Sequence, residues 1–163
     1  MFEARAIAAT DPQDFYAELA RQLSGLLAGE RDFIANAANT ASLIFNTVPG
    51  LNWAGFYFLR GDELVLGPFQ GKPACVRIAL GRGVCGAAAA KRQTMRVEDV
   101  NAFPDHIACD SASRSELVVP LIRDGALLGV LDLDSPQPGR FTPADQAGME
   151  RLAALFLAAS STP

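Results

Sequence analysis

A chain of 163 residues, half of them apolar and a fifth charged, is long enough for one buried core and too apolar to stay disordered, so a single domain over 1–163 is expected. Its formal net charge of −4 gives no attraction to a phosphate backbone or an anionic bilayer, which excludes nucleic acid and a charged membrane surface as expected partners. No window approaches the roughly 18 apolar residues of a membrane span. The first residues, with Glu3 and Arg5, lack the apolar run of a secretion signal, so a cytoplasmic protein is expected.

Residues 12–28 carry Phe15, Leu19, Leu23, Leu26 and Leu27 at helical spacing, with Asp11 placed to cap a helix that starts at Pro12. A second helix is expected in ERDFIANAANTASLIFNTV, where Phe33, Ile34, Ala37, Ala41, Ile44 and Phe45 stay in step until Pro49-Gly50. From Asn52 the period changes to two: NWAGFYFL and ELVLGPF read as a hairpin around Arg60-Gly61-Asp62. ACVRIAL is a third strand, VCGAAAAKRQ an alanine-rich helix, and TMRVEDV a weak fourth strand. Residues 101–114 form a polar connection longer than most in compact domains, which suggests a binding or catalytic loop. SELVVPLIR and ALLGVLDLDS flank Asp124-Gly125 as a second hairpin, with Pro120 marking an edge or a bulge. A last helix starts with Thr142 as cap and Pro143 in the first position. The order of elements predicts an α+β fold whose mainly antiparallel sheet carries helices on one face.

Two groups of residues are candidates for chemistry. In GVLDLDS, Asp132 and Asp134 share a strand face about 7 Å apart, continuing the stripe of Leu128 and Val130, while Leu131 and Leu133 point the other way. Carboxyl groups that end an apolar stripe are either a solvated strand end or a pocket rim, where desolvation makes a proton donor or a seat for an ammonium group. Glu116 opens the neighbouring strand and can join them. Trp53 shares a face with Gly55 and Tyr57, as core or as the apolar wall of a pocket.

The second group is the thiols. Cys75, Cys85 and Cys109 are an odd number, which suits transient redox chemistry better than a permanent disulfide framework. Cys85 lies near a helix N-terminus, where the dipole favours a thiolate. Cys109 sits in the polar stretch HIACDSASRSE, where His106 and Arg114 favour a thiolate and Asp110 opposes it. Among Cys75, Cys85, His106 and Cys109 only the last pair, His106-x2-Cys109, has the close ligand spacing of a structural zinc site, so no metal is expected, and no cofactor is expected either. GRGVCG lacks the partners of a phosphate-binding fingerprint and reads as turn and close-packing glycine.

Taken together, LGPFQGKPACVRI, GRGVCG, FPDHIACDSASRSELVVP and GVLDLDS resemble the free methionine (R)-sulfoxide reductases, a GAF-domain family, with the likeness reaching over roughly residues 14–156. The resemblance implies a GAF-like, about six-stranded antiparallel sheet flanked by helices, in a family that is often dimeric. It implies reduction of free methionine (R)-sulfoxide with thioredoxin as electron donor. It also implies Cys109 as attacking thiol, Cys75 as resolving thiol and Cys85 as an accessory, with Trp53, Glu116, Asp132 and Asp134, and Tyr57 beside Trp53, lining the substrate pocket. The helix-terminus argument favours Cys85 as thiolate and the resemblance favours Cys109; both stay open at the level of sequence. Two other readings fit the strand order: a sensor that binds a small ligand without chemistry, and a thiol switch that answers to peroxide.

Overall fold

The computed structural model describes residues 2–105 and 110–162. Helices α1 (Pro12–Leu26) and α2 (Phe33–Thr47) come first, then strands β1 (Trp53–Arg60), β2 (Glu63–Gly71) and β3 (Arg77–Ala79). Helix α3 (Gly83–Lys91), strands β4 (Met95–Val97), β5 (Ser115–Arg123) and β6 (Ala126–Ser135), and helix α4 (Pro143–Ala159) follow. The strands form one six-stranded sheet in the order β3-β2-β1-β6-β5-β4, and every pairing is antiparallel.

The helix ends follow their expected caps. Asp11 accepts the Gln13 and Asp14 amides ahead of α1. Thr142 and Asp145 form a reciprocal capping box at α4. Tyr16 on α1 donates its hydroxyl to Asp145 Oδ1 at 2.6 Å, tying the two helices together.

Sequence reasoning expected helices on one face of the sheet; the structure has them on both. Helices α1, α2 and α4 cover one face, where Leu19, Leu23, Ile44, Leu152 and Phe156 pack with Phe56, Leu117, Leu131 and Leu133. Each such fully buried side chain stabilises the fold by roughly 1.5–3 kcal/mol. Helix α3 packs on the opposite face, with Val84, Cys85, Ala88 and Ala89 against Tyr57, Val118 and Val130. Alanine and glycine dominate α3, so it lies close to the sheet and has no wide apolar stripe to reveal which face it covers.

Two irregularities were hidden in the alternation of the strands. Leu128 packs with the α1/α2/α4 face and not with Val130, because the β5–β6 register slips between Leu121 and Ile122. Gly129 sits in this irregularity at φ +155°, where a Cβ would lie 2.1 Å from the Tyr57 carbonyl oxygen. Pro120 belongs to an interior strand, but β4 pairs only with Glu116, Leu117 and Val118, so the proline lies beyond the end of that neighbour.

Candidate functional site

The central strands collect the predicted carboxyl groups by register. Across β1 and β6, Trp53 faces Asp134, Gly55 faces Asp132 and Tyr57 faces Val130. Across β5 and β6, Glu116 faces Asp134 and Val118 faces Asp132. Directly opposed residues share a face, so Trp53, Tyr57, Glu116, Asp132 and Asp134 all lie on the α3 side. Cys85, third residue of α3, closes over them.

These six side chains line one cavity of about 520 Å³, its open mouth included, together with Pro73, Ala74, Arg82, Asp110 and Ser113. The indole of Trp53 stacks on Phe69 at 5.3 Å between ring centres and donates Nε1–H to the Lys72 carbonyl at 3.1 Å. Gly55 makes this possible: a Cβ there would lie 2.7 Å from the indole and 2.3 Å from Phe69 Cβ. Tyr57 donates its hydroxyl to the backbone carbonyl of Cys75 at 2.9 Å, so the segment that follows the cavity wall is pinned to β1.

The floor of the cavity is acidic and dry. Glu116 and Asp132 are buried, and the Cys85 thiol donates to Glu116 Oε1 at 3.7 Å. One oxygen of Asp132, Oδ1, is buried and has no hydrogen-bond partner among the described residues. Such an atom normally has one, and here it points to a group that arrives with a ligand. Burial pushes the Asp132 carboxyl up to about 7, with its contacts to Cys85 and Glu116 partly opposing the rise. Burial, then repulsion from Asp132 and Asp134, pushes Glu116 well above the usual carboxylate range, and Asp134 is raised by burial and by Asp132. The floor therefore holds protons at neutral pH.

Cys85 departs from expectation. The helix dipole was expected to favour its thiolate, but burial and the neighbouring Asp132, Glu116 and Asp134 push the thiol well above its ordinary value. A half-charge of helix dipole does not offset complete desolvation beside three carboxyl groups. Cys85 is a free, buried thiol. Cys75 is half-buried beside the cavity wall, while Cys109 and His106 lie outside the described residues.

Sequence reasoning missed the far side of the cavity mouth. Asp110 accepts from the Ala112 amide at 2.9 Å and from the Asn52 side chain at 3.2 Å, with Lys72 Nζ 3.6 Å away. These donors hold its carboxyl below the usual range. Asn52 also donates to Ser113 Oγ at 3.1 Å, which fixes the chain entering β5. Asn52 and Lys72 lie far from residue 110 in sequence, and no local spacing announces their meeting.

The described residues contain no helix long and apolar enough to cross a membrane. The GAF domain family model matches residues 11–159. The free methionine-R-sulfoxide reductase of Escherichia coli K12 is 55% identical over 141 residues, 86% of each chain. The enzyme of the same name from Saccharomyces cerevisiae is 43% identical, over 88% of this chain and 84% of its own. The X-ray structure of free methionine-R-sulfoxide reductase from Neisseria meningitidis in complex with its substrate superposes with a TM-score of 0.93 at 46% identity, covering 98% of this chain and 95% of that one. With the acidic cavity and its tryptophan wall carried on this sheet, the chain belongs to the GAF-domain family and, within it, to the free methionine-R-sulfoxide reductases, a family of oxidoreductases.

Proposed function

We propose that this chain reduces free methionine (R)-sulfoxide to methionine through a sulfenic acid and an intramolecular disulfide, recycled by thioredoxin. The observation that carries the reading is the cavity floor, where buried carboxyl groups retain protons near neutral pH beneath an aromatic wall. The Cys109 thiolate attacks the sulfoxide sulfur while a carboxyl group protonates the sulfoxide oxygen, which then passes to the Cys109 sulfur as the transient bond between the two sulfurs breaks. Asp132 is the favoured acid: burial pushes its carboxyl up to about 7, and it presents an oxygen with no partner among the described residues. Methionine leaves, and Cys109 remains as a sulfenic acid. The Cys75 thiolate then attacks that sulfur and expels water, forming a Cys75–Cys109 disulfide that a dithiol reduces by exchange. Overall, two thiols and one sulfoxide give one disulfide, one methionine and one water.

The remaining residues have roles in binding. Trp53 and Tyr57 supply the wall for the substrate's methyl group, and Glu116 and Asp134 hold its ammonium, giving up their protons as the positive charge arrives. The raised thiol of Cys85 supports an accessory place for it and leaves attack to Cys109. A reducing cytoplasm suits a catalyst that must return to its thiol state, and the chain acts as a homodimer, a state that sedimentation will measure.

The test is a single anaerobic turnover. Reduced protein is mixed with excess free methionine (R)-sulfoxide and no reductant, and methionine released and thiols lost are counted. About one methionine and two thiols per chain are expected. Cys109→Ser should release none, and Cys75→Ser should release one and then stall. Absence of methionine with all thiols intact would reject the reaction, and normal turnover by Cys109→Ser would move attack to Cys85.

A further inference from the structure

The proposed reaction uses Cys109 and Cys75 and leaves Cys85 without a chemical step, yet this thiol is set against two buried carboxyl groups at the floor of the cavity. The Cys85 sulfur and one oxygen each from Glu116 and Asp132 lie within 4.8 Å of one another, and all three residues are buried. We propose that Cys85, Glu116 and Asp132 form a binding site for a thiophilic divalent cation, with Zn2+ as the ligand class.

Geometry is the first argument. Tetrahedral zinc holds sulfur at about 2.3 Å and carboxylate oxygen at about 2.0 Å, which places neighbouring sulfur and oxygen ligands roughly 3.5 Å apart. Cys85 Sγ and Glu116 Oε1 are already 3.7 Å apart. The second argument is Asp132 Oδ1, which is buried without a hydrogen-bond partner among the described residues. A native structure rarely leaves such an atom unsatisfied, and a cation would satisfy it together with the thiolate and the second carboxylate. Donor type is the third: one sulfur with two oxygens selects a borderline-soft ion over Mg2+ or Ca2+, which prefer oxygen-only cages. Three protein ligands leave a fourth position directed to the open cavity, where water completes the shell.

Binding exchanges protons for the ion. In the metal-free protein the thiol and the two carboxyl groups share one buried floor, with Asp134, Tyr57, Arg82 and Asp110 facing the same cavity. Each group becomes a ligand by releasing its proton, up to three per ion, so affinity rises with pH. Three ligand charges against two on the metal also remove most of the mutual repulsion on the floor. The ion would occupy the space that the proposed reaction gives to the sulfoxide, so Zn2+ is a competitive inhibitor. That competition rests on the functional reading above; the binding does not.

The experiment uses Co2+ as a visible stand-in for Zn2+, added to the reduced Cys75→Ser/Cys109→Ser chain, in which Cys85 is the one remaining cysteine. The expected result is about one Co2+ per chain, with a sulfur-to-cobalt charge-transfer band and the visible spectrum of a tetrahedral centre, both erased by Zn2+. Adding Cys85→Ser should remove the band. Asp132→Asn should weaken binding by about tenfold or more, since outer-shell partners alone change metal affinity by about 10–100-fold. No charge-transfer band, or a band that Asp132→Asn leaves unchanged in strength and affinity, overturns the site. Should the double variant not fold, thermal unfolding of the reduced wild-type chain decides: Zn2+ must raise its midpoint, and must raise that of Asp132→Asn by less at the same concentration. A chain that binds Co2+ but never reduces the sulfoxide keeps the site and overturns the function. An active reductase with no band does the reverse.

Discussion

Asp132→Asn tests the electrostatics of the cavity floor without reference to turnover. Asp132 is held at about 7, against about 3.9 for an Asp in an unfolded chain. Between those values the native state binds a proton that the unfolded state has lost, so stability through this group is greatest below about pH 4 and falls as pH rises through 7. At about 1.4 kcal/mol per unit, the full loss is on the order of 4 kcal/mol, somewhat more than half of which falls between pH 5 and pH 8. For a chain of this length that is a drop of about 5–10 °C in unfolding midpoint.

Asparagine has the size of the neutral acid and no charge to bury, so the variant should lose that slope and gain stability at pH 8. It also removes repulsion that raises Glu116, Asp134 and Cys85, which flattens the curve further. The assay is thermal unfolding from pH 5 to pH 8 for both proteins, reduced and with a chelator present so that no cation occupies the floor. Parallel midpoints for wild type and variant across that range would refute the argument, because the slope would then come from groups outside the cavity.

Two further substitutions probe the wall. Tyr57→Phe removes the hydroxyl that holds the Cys75 carbonyl at 2.9 Å; about 1 kcal/mol of stability should be lost in urea unfolding, and disulfide formation should slow more than methionine release in single-turnover experiments. Gly55→Ala forces a methyl group against Trp53 and Phe69; it should cost about 1–3 kcal/mol and alter the near-ultraviolet spectrum of the lone tryptophan.

What the sequence discloses here is whatever repeats locally. Helices announce themselves by spacing and caps, and β6 displays two carboxyl groups on one face because alternation is a property of the strand alone. The meeting of Asp132 with Gly55 and Val118, and of Asp134 with Trp53 and Glu116, is set by register between strands far apart in sequence. No single-strand pattern contains that information. The same limit explains Leu128: a slip in pairing reverses the face of a residue whose neighbours keep theirs. Asn52 and Lys72 escaped for a third reason, since polar residues beside strand ends have too many ordinary uses for their type to be informative.

Cys85 shows where local reasoning fails in sign as well as in detail. A thiol in the first turn of a helix has a lowered pKa when that turn faces water or a cation. Here the turn faces the sheet, and the residues it meets are acids brought there by register. The arrangement is unfavourable in isolation: a buried thiol and three carboxyl groups on one floor weaken the face on which they sit. The opposite face carries the larger apolar core, built by three helices, and offsets that cost. A sheet covered unequally on its two sides can therefore keep one surface dry, protonated and poised for a polar ligand while the other holds the fold together. The raised acids and the Asp132 oxygen that lacks a partner among the described residues are tolerated because Leu19, Leu23, Phe56, Leu131 and Phe156 pack behind them.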